Sequence, residues 1–205
     1  MLKEGIIISI QGYRQSTIEE LTSDIISAGA VAIRTDKNVN ADIVKIGLNK
    51  IHVNNPESEV YITPTIDLIN YVASWADYVA IDYRRINKDL EEISNYCKEH
   101  KIKVVADIGD YKDFDNIIKN NYHYNYIATT FSVFNPKKRF YPDIDLVKEI
   151  YNYDKNVIAE GNIATREQVR KLLSYGIKHI CIGSAISSIY KLARKFTTLL
   201  YERRN

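Results

Sequence analysis

Short apolar runs alternate with charged, amphipathic stretches along the whole chain. The runs cover residues 5–10, 30–34, 44–50, 77–82, 103–107, 124–130, 156–160 and 178–183. They are continuously apolar, not alternating, which is the pattern of strands buried on both faces. Several are rich in Val and Ile, which suit strands. The gaps carry helical signals. Ser16-x-x-Glu19 and Thr17-x-x-Glu20 are overlapping capping boxes ahead of a first helix. Thr165-x-x-Gln168 is another, opening the helix of the seventh crossover. Residues 88–100 read as a helix with a charged outer face. Ile189, Leu192, Ala193, Phe196, Leu199 and Leu200 form a one-faced apolar stripe on a last helix.

Eight parallel strand candidates joined by helical crossovers predict an α/β protein, a single (β/α)8 TIM barrel, with residues 1–205 as one domain. The fold typically takes about 250 residues, so a chain of 205 must use compact loops and helices. The second crossover, 35–43, has room for barely two helical turns. A doubly wound open sheet is the competing arrangement. Two longer loops, 51–64 and 131–143, stand where lids or substrate walls form in compact barrels.

In a barrel the strand C-termini all face one end, which carries the chemistry. Here the runs end in Gln11, Arg34, Lys50, Asp82, Asp107, Thr129 with Thr130, Glu160, and Gly183-Ser184. One polar strand end means nothing, but amide or ionisable groups on nearly all of them predict a compact polar site. Gly161-Asn162 and Gly183-Ser184 follow strands seven and eight. Barrels commonly bind phosphate there, on glycine-exposed backbone N–H groups and a nearby helix N-terminus. His52, His100, His123 and His179 show no ligand spacing, and a Lys and an Arg sharing the site oppose a cation. No metal is expected.

Composition narrows the class. Hydrophobic residues make up 45% and charged residues 26%, ordinary for a globular protein. A net charge of +2 gives no ground for a nucleic-acid partner. Cys97 and Cys181 make no disulfide framework; they read as a helical and a strand packing residue in a reducing cytoplasm. The apolar stretch GIIISI is too short for a signal peptide. No run approaches the roughly 20 apolar residues of a membrane helix. The 16 tyrosines read as compositional bias.

The chain resembles the N-acetylmannosamine-6-phosphate 2-epimerase family over almost its whole length. The resemblance rests on Ser9-Ile10-Gln11, Ala30-Val31-Ala32-Ile33-Arg34 and Ile46-Gly47-Leu48-Asn49-Lys50. The segment Glu59-Val60-Tyr61-Ile62-Thr63-Pro64-Thr65 is its most specific motif. Ala80-Ile81-Asp82, Ala106-Asp107-Ile108, Thr129-Thr130-Phe131-Ser132, Ile158-Ala159-Glu160-Gly161 and Gly183-Ser184-Ala185-Ile186 complete it. The resemblance implies a cytoplasmic, homodimeric isomerase without cofactor, acting on a small sugar phosphate in amino-sugar or sialic-acid catabolism. It implies Lys50 as the catalytic acid/base with Glu160 supporting it. Gln11, Arg34, Asp82 and Asp107 would surround the sugar, and we add Thr129 and Thr130. Gly161, Asn162, Gly183 and Ser184 would hold the phosphate. Where the family pattern carries Arg after Glu-Gly and again after the GSAI-like motif, this chain has Asn162 and Ser188. Arg84, Arg85 and the basic run 137–139 are the residues available to compensate. Two rivals stand beside this reading: an epimerase for another amino sugar, phosphorylated or not, and a non-catalytic sugar-phosphate-binding barrel.

The residue types suit that chemistry. Epimerising C2 removes a proton next to a latent aldehyde and returns it to the other face. A lysine base for this needs its proton affinity brought from about 10.4 toward roughly 7–8. Burial and Arg34 would lower it, whereas an ionised Glu160 would raise it. Glu160 is therefore assigned to orienting Lys50 or a sugar hydroxyl. Arg34 is also placed to stabilise the enolate oxygen.

Overall fold

The computed structural model describes residues 1–48, 64–85, 88–134 and 141–187. In chain order the elements are β1 (Gly5–Ser9), α1 (Gln15–Ser27), β2 (Ala32–Thr35), β3 (Val44–Leu48), α2 (Ile66–Ala73), β4 (Tyr78–Asp82), α3 (Leu90–Glu99), β5 (Val104–Asp107) and α4 (Tyr111–Lys119). Then follow β6 (Tyr126–Ala128), a 3-10 turn (Thr130–Phe134), α5 (Ile144–Tyr153), β7 (Val157–Ala159), α6 (Arg166–Ser174), β8 (His179–Ile182) and α7 (Ser184–Ser187). Each strand pairs in parallel with the next, and β1 closes on β8 through Gly5↔His179 to Ile8↔Ile182. That last pairing makes the (β/α)8 barrel and excludes the open sheet.

Because strand side chains alternate between faces, each run splits into two sets. Ile7, Ala32, Leu48, Ala80, Val105, Ala128, Ile158 and Cys181 belong to one buried cluster inside the barrel. The alternate residues Val79, Ile81, Val104, Ala106, Ile127, Val157, Ala159 and Ile180 pack outward with Val72, Ile93, Phe114, Ile117, Leu146, Ile150 and Leu172 of the helices. Both faces are therefore dry, which is why the strands read as unbroken apolar runs. Gly47 on β3 marks the closest helix approach: a Cβ there would lie 2.3 Å from Val72 Cγ1 and 2.8 Å from Ala76 Cβ.

Two local expectations are corrected. No helix forms between β2 and β3. Val39 of that short connection is buried with Ile8, Ile18, Ile25 and Ile33, so one side chain covers a stretch of barrel that a helix would otherwise shield. The first helix does not use the Ser16 or Thr17 capping boxes. It starts earlier, with Arg14 at the N-cap and no side-chain cap bond. Gln15 ties the first turn down by donating to Glu19 Oε1 at 2.8 Å and to the Asn38 carbonyl at 2.6 Å. Thr165 and Gln168 do form the predicted reciprocal box on α6, and Asp110 with Asp113 forms an unpredicted one on α4. The apolar stripe at 189–200 and most of the 51–64 loop lie outside the described residues.

Candidate active site

A single rule of spacing builds the site. Two residues beyond the interior apolar layer, the same inward parity gives Ser9 after Ile7, Arg34 after Ala32 and Asp82 after Ala80. It gives Asp107 after Val105, Thr130 after Ala128, Glu160 after Ile158 and Gly183 after Cys181. Register levels them: Ser9 is paired with Arg34, and Asp82 with Asp107. The polar residues thus form the layer directly above the apolar floor, at the C-terminal ends of the strands.

Arg34 stands at the centre and is 1% exposed. Its Nη2 donates to Asp107 Oδ2, and its Nη1 lies 2.9 Å from Glu160 Oε2. Thr130 Oγ1 sits 2.8 Å from Asp107 Oδ1 and 3.1 Å from the same Glu160 oxygen. Arg34, Asp107, Thr130 and Glu160 therefore close a ring drawn from β2, β5 and the residues just past β6 and β7. Burial works against the Arg34 charge, but the carboxylates of Asp107 and Glu160 outweigh it and hold the guanidinium protonated beyond its ordinary value. Its Nε finds no acceptor among the described residues, and its Nη1 meets Glu160 as an ion pair without hydrogen-bond geometry.

Thr129 contributes differently. Its hydroxyl donates to the Glu160 carbonyl at 2.8 Å and accepts from the Glu160 N–H at 3.0 Å. The two bonds fix the Glu160 main chain where β7 ends, so this hydroxyl works between strands. Cys181, on the floor beneath, was expected only to pack. It is buried, and burial, followed by the proximity of Glu160, pushes its thiol well above the ordinary range. It stays a neutral S–H beside Glu160, unfit as a nucleophile.

Asp82 is engaged by a residue that the strand-end reading passed over. Arg84 binds its carboxylate through Nη2 at 2.6 Å and Nε at 2.9 Å, and the guanidinium lies 4.1 Å over the Phe131 ring. Arg85 pairs with Asp110 at 2.9 Å and Asp113 at 2.8 Å. Both arginines are thus committed beside β4, across the barrel from β8. Gln11 Nε2 lies 3.3 Å from Ser9 Oγ, and its buried Oε1 has no donor among the described residues.

On the β7–β8 side, Gly161 and Asn162 take consecutive left-handed conformations, φ 100° and 54°. Asn is among the few side chains that tolerate this region, so the turn itself accounts for the residue type at 162. Gly183 follows β8, and its carbonyl accepts from Ile186 N–H at 2.9 Å, folding the chain into α7. A Cβ at Gly183 would meet Ser9 Cβ at 3.4 Å, ordinary contact, so packing alone does not demand glycine there. Lys50, His52, Ser188 and the basic run 137–139 lie outside the described residues. Among the described residues no helix is long and apolar enough to cross a membrane.

The arrangement is a buried cation between two carboxylates, with a hydroxyl spanning them, at the open end of a barrel. Such a set can hold and reorient a polyhydroxylated substrate and stabilise an oxyanion. Comparison with known proteins adds a family. Residues 18–202 match the sequence family described as "Putative N-acetylmannosamine-6-phosphate epimerase". A protein named "Putative N-acetylmannosamine-6-phosphate 2-epimerase" from Caldanaerobacter subterraneus is 31% identical, over 99% of this chain and 94% of its own length. One of the same name from Clostridioides difficile is 29% identical, over 95% of each. The solved N-acetylmannosamine-6-phosphate 2-epimerase of Clostridium perfringens superposes with a TM-score of 0.79 over 97% of this chain and 94% of that one, at 23% identity.

Proposed function

The chain belongs to the N-acetylmannosamine-6-phosphate epimerase family, and from that premise we propose that it is an isomerase that inverts C2 of an N-acetylhexosamine 6-phosphate. N-acetylmannosamine 6-phosphate would become N-acetylglucosamine 6-phosphate within amino-sugar or sialic-acid catabolism. The observation that carries the proposal is the Arg34–Asp107–Thr130–Glu160 ring, seated on the strand-end face where barrels do their chemistry. Lys50 is the proton carrier in this reading. In sequence it follows Leu48 by the same two-residue offset that relates Arg34 to Ala32 and Glu160 to Ile158.

The chemistry follows from the groups. The ring oxygen opens to free the aldehyde, the C2 proton leaves to Lys50, and an enolate forms at O1. Arg34, fixed as a cation, offsets that negative charge. Glu160 orients Lys50 or a sugar hydroxyl, and its backbone is locked by Thr129. The enolate then turns about its C2–C3 bond, and the Lys50 ammonium returns a proton to the opposite face of C2. Gly161, Asn162, Gly183 and Ser184 would hold the phosphate through main-chain N–H groups. Gln11 and Asp82, the latter as half of its pair with Arg84, would meet the sugar hydroxyls. A homodimer is proposed from the resemblance and is read by light scattering.

The test is hydrogen exchange at C2. Purified protein with N-acetylmannosamine 6-phosphate in deuterated water is expected to incorporate deuterium at C2, and Lys50→Ala is expected to abolish it. No incorporation with either the phosphorylated or the free sugar would sink the proposal.

A further inference from the structure

Thr130 was expected to touch substrate, and its geometry suits a second task beside that one. We propose that Thr130 is a positioning residue whose one hydroxyl proton is shared between Asp107 and Glu160, so that a change of charge on one carboxylate is relayed to the other. The inference rests on the functional reading above for its consequence in turnover, but not for its geometry.

A hydroxyl has one proton to give and two lone pairs to receive. Thr130 Oγ1 lies within hydrogen-bond distance of Asp107 Oδ1, at 2.8 Å, and of Glu160 Oε2, at 3.1 Å. It can donate to only one of them at a time. With both carboxylates ionised, the proton chooses between them. With Glu160 protonated, a continuous chain forms in which Glu160 donates to Thr130 and Thr130 donates to Asp107. A change of charge on Glu160 is thus passed to Asp107, and the other way round. Arg34 contacts the other oxygen of Asp107 and the same Oε2 of Glu160, which closes the ring.

The backbone around Thr130 is held for this purpose. Phe131 N–H donates to the Ile108 carbonyl at 2.9 Å, and Ser132 N–H donates to the Thr129 carbonyl at 3.1 Å. Thr129 grips the Glu160 main chain on the adjacent residue. Two consecutive threonines therefore grip the same glutamate, one by its main chain and one by its side chain. Among the described residues the charged or titratable neighbours from other strands are Arg34 on β2, the Asp82–Arg84 pair at β4 beside Asp107 on β5, and Cys181 on β8; the proposed function adds Lys50 after β3. Arg34 spans the same two acids through Asp107 Oδ2, and Thr130 takes Asp107 Oδ1.

The protein alone decides the point. Glutamate carboxyl carbons are labelled with carbon-13, the Glu160 signal is assigned with Glu160→Gln, and its titration is followed in wild type, Thr130→Val and Thr130→Ser. Losing a donor to a charged acceptor weakens the anion, so the Glu160 midpoint is expected to rise by about one pH unit in Thr130→Val. It is expected to stay at the wild-type position in Thr130→Ser, which keeps the hydroxyl. Thr130→Ala gives the same reading if the valine variant does not fold. An unchanged midpoint in Thr130→Val or Thr130→Ala overturns the proposal. So does an equal rise in Thr130→Ser. In C2 exchange, kcat is expected to fall about tenfold in Thr130→Val with KM within about twofold, and the pH profile to shift with the carboxyl midpoint. A wild type inactive on all sugars would refute the functional reading, while the carbon-13 titration would still judge the bridge.

Discussion

Replacing Arg34 by Met tests the electrostatic account of the site most severely. The guanidinium is 1% exposed and faces two carboxylates, one bonded and one at 2.9 Å. Methionine keeps much of the length and leaves two acids facing each other without their cation. Removing one partner of a buried ion pair costs about 3–5 kcal/mol. The protein has one cheap escape, which is to protonate a carboxyl of the pair. Starting from an ordinary value near 4, that costs about 4 kcal/mol at pH 7 and roughly 1.5 kcal/mol at pH 5, at 1.36 kcal/mol per unit. The destabilisation is therefore capped at about 4 kcal/mol at neutral pH and shrinks in acid. The sign follows from linkage. The folded variant then binds a proton that its unfolded chain does not, so its stability falls as pH rises above about 4. Urea unfolding of wild type and Arg34→Met at pH 7 and pH 5 measures the gap. A denaturant slope near the top of the usual 1–3 kcal/mol/M range puts the neutral midpoint shift at about 1.5 M. A gap of equal size at both pH values, or one that grows in acid, would show that Arg34 acts by packing and not by charge.

Other expectations follow from other parts of the fold. Gly47→Ala drives a Cβ into Val72 and Ala76, so thermal unfolding should show a loss of about 1–3 kcal/mol; a neutral result would mean that α2 shifts freely on β3. Thr165→Ala removes the oxygen that caps α6 and should cost about 0.5–2 kcal/mol by urea titration, whereas Ser16→Ala on α1 should cost little, because no side chain caps that helix. His179, at the start of β8, has its proton affinity lowered chiefly by burial. Its folded value lies below the unfolded 6.5, so its contribution is present above 6.5 and lost as pH falls through the window beneath it. The fall in melting temperature from pH 7.5 to 5 should be smaller in His179→Phe than in wild type. A kcat/KM for free N-acetylmannosamine close to that for the 6-phosphate would refute phosphate anchoring at Gly161, Asn162, Gly183 and Ser184.

The barrel was legible because its strands are dry on both sides. Interior Ile158 and outward Val157 alike must be apolar, so the runs stood out without periodicity. The polar ends were legible for the same reason, since Arg34, Asp82, Asp107 and Glu160 each break a run at its mouth. What the strand-end pattern could not show was who holds whom. Arg84 reaches back two residues to Asp82, with its own N–H also donating to that carboxylate, a pairing that no strand-end pattern prints. The double contact of Thr130 needs β5, β6 and β7 brought to one level. Thr129, its neighbour with the same side chain, serves the Glu160 backbone because alternation turns it the other way. The missing cap on α1 was illegible for a simpler reason: Gln15 supplies the anchoring by a long-range bond to Asn38.

The ring also divides the chain unevenly between its two halves. The cation, Arg34, belongs to the first four strands; both acids and the bridging hydroxyl belong to the last four, 73 to 126 residues later in the chain. Among the described residues, a fragment ending after β4 would carry a positive charge with no answering acid in this layer beyond Asp82, and Asp82 already answers Arg84. A fragment starting at β5 would carry two acids and no such cation. Each half lacks what the other supplies, so the same contacts that make the site also give the two half-barrels a reason to find each other.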